Sequence, residues 1–232
     1  MTLSALLNRC ARSALAWAGE DCLLCGARTG PEPLCTACIG ELPALAESCP
    51  RCALPSPAAA VCGTCLNRPP HFDATLALWR YEFPCDRLVQ ALKYRAQLAL
   101  AGFFARSLAS RPLPEFDVLL PMPLHPRRLA ERGFNQALEI ARGLARNLGR
   151  PIDPRGVLRV KNTPPQAELP YEERAKNVRG AFLCKLDLSG VSVAVLDDVM
   201  TTGATLNELA RALKRAGATR VENFVIARTV LR

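Results

Sequence analysis

The sequence predicts an α/β fold in which a parallel β-sheet is flanked by helices and preceded by a cysteine-rich segment. From Glu115 onward, short apolar segments typical of buried strands alternate with segments of helical periodicity. Such alternation favours right-handed crossovers and parallel strand pairing. Ahead of this region, eight cysteines fall in four Cys-x-x-Cys pairs before residue 66, where long periodic segments are lacking.

The predicted elements follow in chain order. Strands are expected at Ala74–Tyr81, Asp117–Leu120, Val191–Leu196 and Arg220–Thr229. Helices are expected at Asp86–Ala109, Asn135–Leu148 and Ala204–Ala216. The polar segment Arg155–Gly180 contains three prolines and is long for a simple connection, which is typical of a lid or a disordered spacer.

Residues 1–19 are predicted to form an amphipathic helix that packs on its own protein. Arg9 and Arg12 interrupt the apolar stretch, and no small-residue cleavage site follows, which disfavours an export signal. A helix lying on a membrane surface is the alternative. Because no apolar run approaches the ~20 residues that span a bilayer, we expect no membrane-spanning segment.

The cysteine pairs form a tandem repeat. Each unit reads Cys-x2-Cys-x9-Cys-x2-Cys, and the second follows the first at a constant offset of 27 residues. A Cys-x-x-Cys turn places two thiolates on one side of a knuckle, and two knuckles complete a tetrahedron around Zn²⁺ at about 2.3 Å. The candidate ligands are Cys22, Cys25, Cys35, Cys38, Cys49, Cys52, Cys62 and Cys65.

Two zinc ions are therefore favoured over disulfides or an iron–sulfur cluster. Four sulfur ligands leave no position for a substrate, so both ions are expected to be structural. A reducing cytoplasm suits such thiolates. Equal spacing favours one ion per repeat, with knuckles that cross between repeats as the alternative. We expect a double zinc ribbon over 20–68 and one α/β domain over 69–232.

The positive charge lies in the α/β domain. The net charge is +9, yet residues 1–70 hold five Lys and Arg against five Asp and Glu, whereas residues 71–232 hold 25 against 16. A cationic domain suits a polyanionic ligand such as a diphosphate or a nucleic acid. For the ribbon, the balanced charge favours a structural or protein-contact role over nucleic-acid binding.

The strongest motif joins a strand to a helix. After the apolar Val193–Leu196 come Asp197 and Asp198, then Val199 and Met200, and then the run Thr201-Thr202-Gly203-Ala204-Thr205, which leads directly into a helix. Unpaired N–H groups and the dipole of a helix N-terminus attract a phosphate, glycine permits close backbone approach, and threonine hydroxyls donate hydrogen bonds. The pattern predicts a phosphomonoester site.

The two carboxylates are badly placed to hold a phosphate, but they are well placed to accept hydrogen bonds from ribose hydroxyls on the next part of the ligand. An ordinary capped turn between a strand and a helix is the alternative. It accounts for one threonine and at most the glycine. It does not account for two adjacent carboxylates and three threonines together.

Two further segments are candidate parts of the site. His125, Arg127 and Arg128 follow the strand Asp117–Leu120 at the same rim of the sheet and suit a diphosphate, with a solvated basic surface as the alternative. The segment from Arg159 to Phe182 is rich in donors, including Lys161 and Arg174. It suits a mobile cover over a polyanion, with a disordered linker as the alternative.

The segment from Val193 to Thr205 closely resembles the phosphoribosyl-diphosphate loop of type I phosphoribosyltransferases, whose pattern is four apolar residues, Asp-Asp, two mostly apolar residues and Thr-Thr-Gly-x-Thr. The resemblance implies a type I phosphoribosyltransferase-like domain. It also implies that Asp197 and Asp198 bind the ribose hydroxyls while Thr201, Thr202, Gly203, Ala204 and Thr205 bind the 5-phosphate.

Nearly the whole chain resembles the ComF/GntX family of amidophosphoribosyltransferase-like proteins. The similarity covers the tandem ribbon, Leu92-Lys93-Tyr94, Pro121–Gln136, Gln166 with Glu173-Arg174, and the phosphate loop. It implies a cytoplasmic bacterial protein linked to DNA uptake in natural competence. There it is expected to act beside single-stranded DNA and a helicase-like partner.

Two functional hypotheses follow. The first is a phosphoribosyltransferase with an unidentified acceptor, which would displace pyrophosphate at the ribose C1 atom. Mg²⁺ would arrive with the diphosphate. The ion would stabilise the departing charge together with His125, Arg127, Arg128 and a lid donor such as Lys161. The second is a non-catalytic protein that binds single-stranded DNA or a nucleotide with the same fold. Stacking on bases would need aromatic side chains, yet Trp79, Tyr81, Phe83 and Tyr94 are interpreted as core.

Overall fold

The computed structural model describes residues 20–162 and 177–230. The helix predicted over 1–19 and the lid candidate Arg174 lie outside the described residues. The chain divides into two compact units, the first ending at Leu42 and the second beginning at Pro43. The domain boundaries predicted from the sequence stay predictions.

The first unit contains the first cysteine repeat. Strand β1 (Glu20–Asp21) pairs antiparallel with β2 (Arg28–Gly30), and helix α1 (Thr36–Gly40) follows. Between the strands, Gly26 adopts a φ of 75°, and the amide of Cys22 donates to the carbonyl of Ala27 at 2.7 Å. A residue with a side chain is strained at such a φ, so glycine suits the tight turn after the first cysteine pair.

The second unit is built on a four-stranded parallel sheet of order β3-β8-β7-β4. Its strands are β3 (Ala74–Arg80), β4 (Val118–Pro121), β7 (Ser192–Met200) and β8 (Arg220–Arg228). The two central strands, β7 and β8, are almost wholly buried, as the near-continuous apolar run Val191–Leu196 predicts for β7. The predicted α/β class is confirmed.

The second unit also contains helices. They are α2 (Gly63–Asn67), α3 (Cys85–Arg95), α4 (Ala99–Ala109), α5 (Pro126–Arg132), α6 (Gln136–Leu148) and α7 (Ala204–Arg215). The single helix predicted over Asp86–Ala109 is wrong. Ala96 adopts a left-handed φ of 50°, which ends α3, and the separate helix α4 packs Phe103 against Trp79 with the rings 5.9 Å apart. Among the described helices, none has the length and apolar character to cross a bilayer.

Two predicted boundaries are also corrected. Strand β7 does not end at Leu196 but continues to Met200, because its register with β8 extends to the Met200–Arg228 pair. Asp197 and Asp198 are therefore held in a strand. In the segment predicted as a lid or spacer, β5 (Val157–Arg159) pairs antiparallel with β6 (Phe182–Cys184), so its described ends are ordered by a ladder.

The second cysteine repeat docks against the edge strand of the sheet. The amide of Thr75 donates to the carbonyl of Pro50 at 3.0 Å, and the amide of Arg80 donates to the carbonyl of Pro43 at 2.8 Å. These bonds satisfy groups on the edge of β3 that would otherwise face solvent. The second repeat and the sheet consequently belong to one compact unit.

Candidate functional site

Each cysteine repeat gathers its own four sulfur atoms. Cys22, Cys25, Cys35 and Cys38 form one group, and Cys49, Cys52, Cys62 and Cys65 form the other, with all ligand atoms of a group within 4.8 Å of one another. The Cys25–Cys35 and Cys52–Cys62 sulfur pairs are 3.7 and 3.6 Å apart. A tetrahedron with bonds of about 2.3 Å has edges of about 3.8 Å. The prediction of one zinc site per repeat is confirmed.

Backbone amides support the sulfur atoms in the same way in both sites. The amide of Cys35 donates to Sγ of Cys22 at 3.4 Å, and the amide of Cys62 donates to Sγ of Cys49 at 3.3 Å. Donors directed at sulfur favour the thiolate form that binds zinc. The two sites therefore share one local architecture.

A cavity of about 770 Å³ lies at the carboxyl end of the sheet. Its walls come from α3, from the segment after β4, from β5 and from the junction between β7 and α7. The predicted residues that line it are Arg128, Asp197, Asp198, Thr201, Gly203, Ala204 and Thr205. The strand-to-helix motif lies at the predicted rim of the sheet, where these side chains surround one cavity.

The turn that starts α7 contains a glycine with a left-handed backbone conformation. Gly203 has a φ of 81°, and an added Cβ would lie 2.5 Å from Cε of Met200. Oγ1 of Thr202 accepts from the amide of Ala204 at 3.2 Å. The positive φ therefore requires glycine at position 203. Residues 201–205 are called the phosphate loop, and the backbone amides at the start of α7 lie at this loop.

Asp198 forms a buried ion pair with Lys93 on the cavity wall. Nζ of Lys93 lies 3.0 Å from Oδ1 of Asp198, and the two side chains are only 18% and 6% exposed. Burial lowers the pKa of Lys93, but the neighbouring Asp198 charge outweighs burial and raises that pKa above its ordinary value. Oδ2 of Asp198 is buried without a hydrogen-bond partner in the described part of the chain. That oxygen is available as an acceptor beside the cavity.

Asp197 has a strongly perturbed acidity. Burial, reinforced by the charge of Asp198, raises the pKa of Asp197 from 3.8 to about 7, although Lys93 opposes the shift. An aspartate near neutrality in a cleft is typical of a functional carboxyl group. The pair of acids is thus asymmetric, since only Asp198 is held in the Lys93 ion pair.

The opposite side of the cavity is cationic. Arg128 and Arg159 both line it, and the guanidinium of Arg159 lies 5.6 Å above the ring of Phe182. Burial lowers the pKa of Arg159, and the nearby charge of Arg128 lowers it further, whereas Asp197 raises it. Two guanidinium groups on the wall of one cavity make that wall positively charged.

Several predicted residues are not brought to the cavity. Nδ1 of His125 accepts from the amide of Arg127 at 3.2 Å and caps α5, while Nε of Arg127 pairs with Glu131 at 3.1 Å on the surface. Nζ of Lys161 donates to the carbonyl of Arg179 at 2.6 Å. Thr202 lines a different cavity, on the other side of its loop. Ligand roles for these four residues stay predictions.

The interpretation of the aromatic residues as core is wrong for two of them. Trp79 is buried, but Phe83 and Tyr94 are 75% and 74% exposed. Tyr94 lines the cavity, and the guanidinium of Arg132 lies 5.6 Å above its ring. Phe83 lies just before α3, and Tyr94 lies near the end of that helix, at the rim of the sheet. At such positions, the hydrophobic pattern of a sequence does not distinguish a buried core residue from an exposed ring on which a ligand can stack.

Sequence reasoning gave no site role to Lys93 and left Arg159 only as the first residue of the lid segment. The signal for Lys93 is its spacing, because it lies four residues after the buried Val89 on the inner face of α3. Arg159 shares the buried face of β5 with Val157. Lys93 and Arg159 can both be identified from the sequence, because each is a charged residue at an inward-facing position of an amphipathic helix or strand.

Comparisons with known proteins give a matching domain family and similar chains. Residues 17–66 match the double zinc ribbon domain family. DNA utilization protein YhgH of Salmonella typhi is 33% identical over 206 residues, which cover 85% of this chain and 91% of that protein. Competence protein F of Haemophilus influenzae is 32% identical over 209 residues, or 84% of this chain and 85% of that protein.

Among solved structures, a purine phosphoribosyltransferase from Pyrococcus horikoshii is 18% identical, with a TM-score of 0.32, and the match covers 67% of this chain and 88% of that one. The relatives exceed 30% identity over most of both chains. The chain belongs to the ComF/GntX family.

Proposed function

We propose that the cavity binds phosphoribosyl diphosphate or a related ribose 5-phosphate and that the protein is a phosphoribosyltransferase with an unidentified acceptor. The observation that carries the proposal is one volume bounded by the phosphate loop, by the unpartnered Oδ2 of Asp198 and by two guanidinium groups. The phosphate loop suits the 5-phosphate, and the acids suit ribose hydroxyls. Arg128 and Arg159 suit a diphosphate.

The chemistry required of the protein is positioning and charge stabilisation. Displacement of pyrophosphate at the ribose C1 atom passes through a state with oxocarbenium character. Arg128 and Arg159 would stabilise the departing diphosphate, and Asp197 would orient the sugar through its hydroxyls. Within the described residues, clusters of three or more metal-binding side chains occur only at the two cysteine sites. Mg²⁺ would therefore be bound mainly by the oxygens of the diphosphate.

Isothermal titration tests this proposal. We expect ribose 5-phosphate, and phosphoribosyl diphosphate with Mg²⁺, to bind, while unphosphorylated ribose does not, because the loop supplies the phosphate contacts. A pyrophosphate-release screen over nucleobases and amines then tests turnover. Equal binding of ribose and ribose 5-phosphate would contradict the assignment of the loop.

Gly203→Ala tests the loop itself. The substitution forces a left-handed φ on alanine and displaces Met200, so we expect ribose 5-phosphate to bind at least about tenfold more weakly. Gly149→Ala is a matched control, since Gly149 has a φ of 62° at the end of α6 and no atom within 4 Å of an added Cβ. Similar affinities for the two variants would show that the backbone of the loop does not hold the ligand.

A second candidate function is recognition of single-stranded DNA, favoured by the exposed Tyr94 ring beside Arg132. Aromatic rings next to cations are stacking platforms for bases. The names of the relatives, DNA utilization protein and competence protein, support a role in DNA uptake. A location in the cytoplasm and a helicase-like partner stay predictions. Adding an oligonucleotide to the same titration separates the possibilities, because competition with ribose 5-phosphate requires overlapping sites.

A further inference from the structure

The phosphate loop separates two cavities. One is the ligand cavity, and the other, of about 420 Å³, lies beside the second zinc site. Met200, Thr201, Gly203 and Ala204 line both. The second cavity is also lined by the zinc ligands Cys52 and Cys65. The loop that is proposed to bind the phosphate therefore lies between the ligand cavity and a cavity next to a metal site.

Arg228, the last residue of β8, connects the metal site to this loop. Its side chain is 2% exposed. Nε donates to the carbonyl of Cys52 at 2.8 Å, and Nη1 donates to the carbonyls of Met200 at 2.9 Å, Thr229 at 2.8 Å and Thr201. One guanidinium thus bonds to a zinc ligand's backbone and to the start of the phosphate loop.

These bonds fix the direction of the loop's amides. In a planar trans peptide, a carbonyl and the following N–H point in opposite directions. Holding the carbonyls of Met200 and Thr201 on Arg228 therefore turns the amides of Thr201 and Thr202 away from Arg228. Without the guanidinium, the carbonyl of Met200 would keep the amide of Thr229 as a donor at 3.0 Å, whereas the carbonyl of Thr201 would lose its bond to Arg228 and that peptide would be free to rotate.

A second connection runs through the segment that follows Cys65. The amide of His71 donates to Oδ1 of Asn207 in the first turn of α7 at 2.6 Å. The ring of the buried Phe72 reaches within 3.9 Å of the Cβ position of Gly203. The second zinc site therefore supports both the start of the loop and the helix that completes it.

We propose that Arg228 is a positioning residue that couples the second zinc site to the phosphate loop, so that zinc and a ribose 5-phosphate stabilise each other's binding. The proposal rests on the function proposed above for the loop. A zinc ion with four thiolates carries a net charge of −2, which favours the buried guanidinium beside Cys52. Coupling of this kind is reciprocal, and factors of about 5–150 are typical.

Zinc release into pyridylazoresorcinol, measured with and without saturating ribose 5-phosphate and without Mg²⁺, tests the coupling on the full chain. We expect two zinc ions per chain, one of which is held about tenfold more tightly at equilibrium with the chelator when the sugar phosphate is bound. In Cys25→Ser, which damages the first site only, the protected ion should still be present. Titration of the wild type with ribose 5-phosphate is done in parallel.

Arg228→Met should retain zinc but lose the protection and bind ribose 5-phosphate about tenfold more weakly. Arg228→Lys keeps the charge, but one ammonium does not span the carbonyls of both Cys52 and Met200, so we expect partial loss. Arg146→Met, on the outer surface of α6, is the control and should behave as the wild type.

Binding without any protection of zinc in the wild type would overturn the coupling and leave the proposed function intact. Full protection in Arg228→Met would also overturn it, because the coupling would then bypass Arg228. Absence of ribose 5-phosphate binding to the wild type would overturn the proposed function and the coupling with it. If Arg228→Met does not fold, the wild type and Arg228→Lys decide.

Discussion

Replacing Lys93 with methionine is expected to lower the free energy of unfolding by about 3–5 kcal/mol, because it leaves Asp198 as a buried carboxylate without its cation. The Lys93 Nζ and Asp198 Oδ1 atoms are 3.0 Å apart, and the Asp198 side chain is 6% exposed. Water therefore has little access to compensate for the lost charge. Equilibrium unfolding in urea, followed by the fluorescence of the buried Trp79, measures the change.

The double variant Lys93→Met/Asp198→Asn separates the energy of the ion pair from the effects of replacing each side chain alone. Removing both charges eliminates the unpaired carboxylate, so most of the lost stability should return. Lys214→Met is the matched control, because its partner Asp73, 2.7 Å away, is 41% exposed, and such pairs contribute up to about 1 kcal/mol. Equal losses in Lys93→Met and Lys214→Met would contradict a buried ion pair that organises the cavity wall.

The features that the sequence predicted correctly are those that local chemistry determines. Four cysteines at fixed spacing fit zinc, whatever surrounds them, and the structure has one site per repeat. An apolar run followed by Thr-Thr-Gly and a helical period similarly predicted the junction between β7 and α7. Both patterns are complete within short segments, so no knowledge of tertiary contacts was needed.

The features that were missed depend on contacts between distant segments. Lys93 on α3 meets Asp198 on β7 only after the sheet has assembled, and Arg228 meets Cys52 only after the ribbon has docked. The break at Ala96 has the same origin, since residues on both sides of it have helical propensity. After the break, α4 packs Phe103 on Trp79, and a single sequence does not reveal that packing.

The pair of acids shows the same division. The sequence placed Asp197 and Asp198 at a rim and predicted equal roles for them. Because β7 extends to Met200, the two lie on a strand, where neighbouring side chains point to opposite faces, and only Asp198 meets the lysine. Identical residues therefore acquire different acidities, which is how one site obtains groups for different tasks.

Asp197→Asn should stabilise the protein increasingly as the pH rises from about 4 to about 7. The folded-state pKa of Asp197, about 7, lies above its ordinary value of 3.8, so the unfolded chain releases this proton first. Between these pH values ionisation of Asp197 disfavours folding, and asparagine removes that cost. We expect an advantage of roughly 2–4 kcal/mol at pH 8 and little at pH 4, measured by urea unfolding.

Asp187→Asn is a control of opposite sign. The side chain and amide of Ser189 donate to Asp187 and lower its pKa, so its substitution should reduce stability above pH 4. A constant difference between Asp197→Asn and the wild type over pH 4–8 would contradict the raised pKa of Asp197.

The same proton should govern the ligand. Ribose hydroxyls donate more strongly to a carboxylate than to a carboxylic acid, so binding favours ionised Asp197 and strengthens as the pH passes through about 7. The phosphate of ribose 5-phosphate also ionises near pH 6, and this effect is common to the wild type and Asp197→Asn. The difference between their affinities from pH 6 to pH 8 isolates Asp197. An affinity ratio that does not change with pH would exclude this carboxylate from the sugar site.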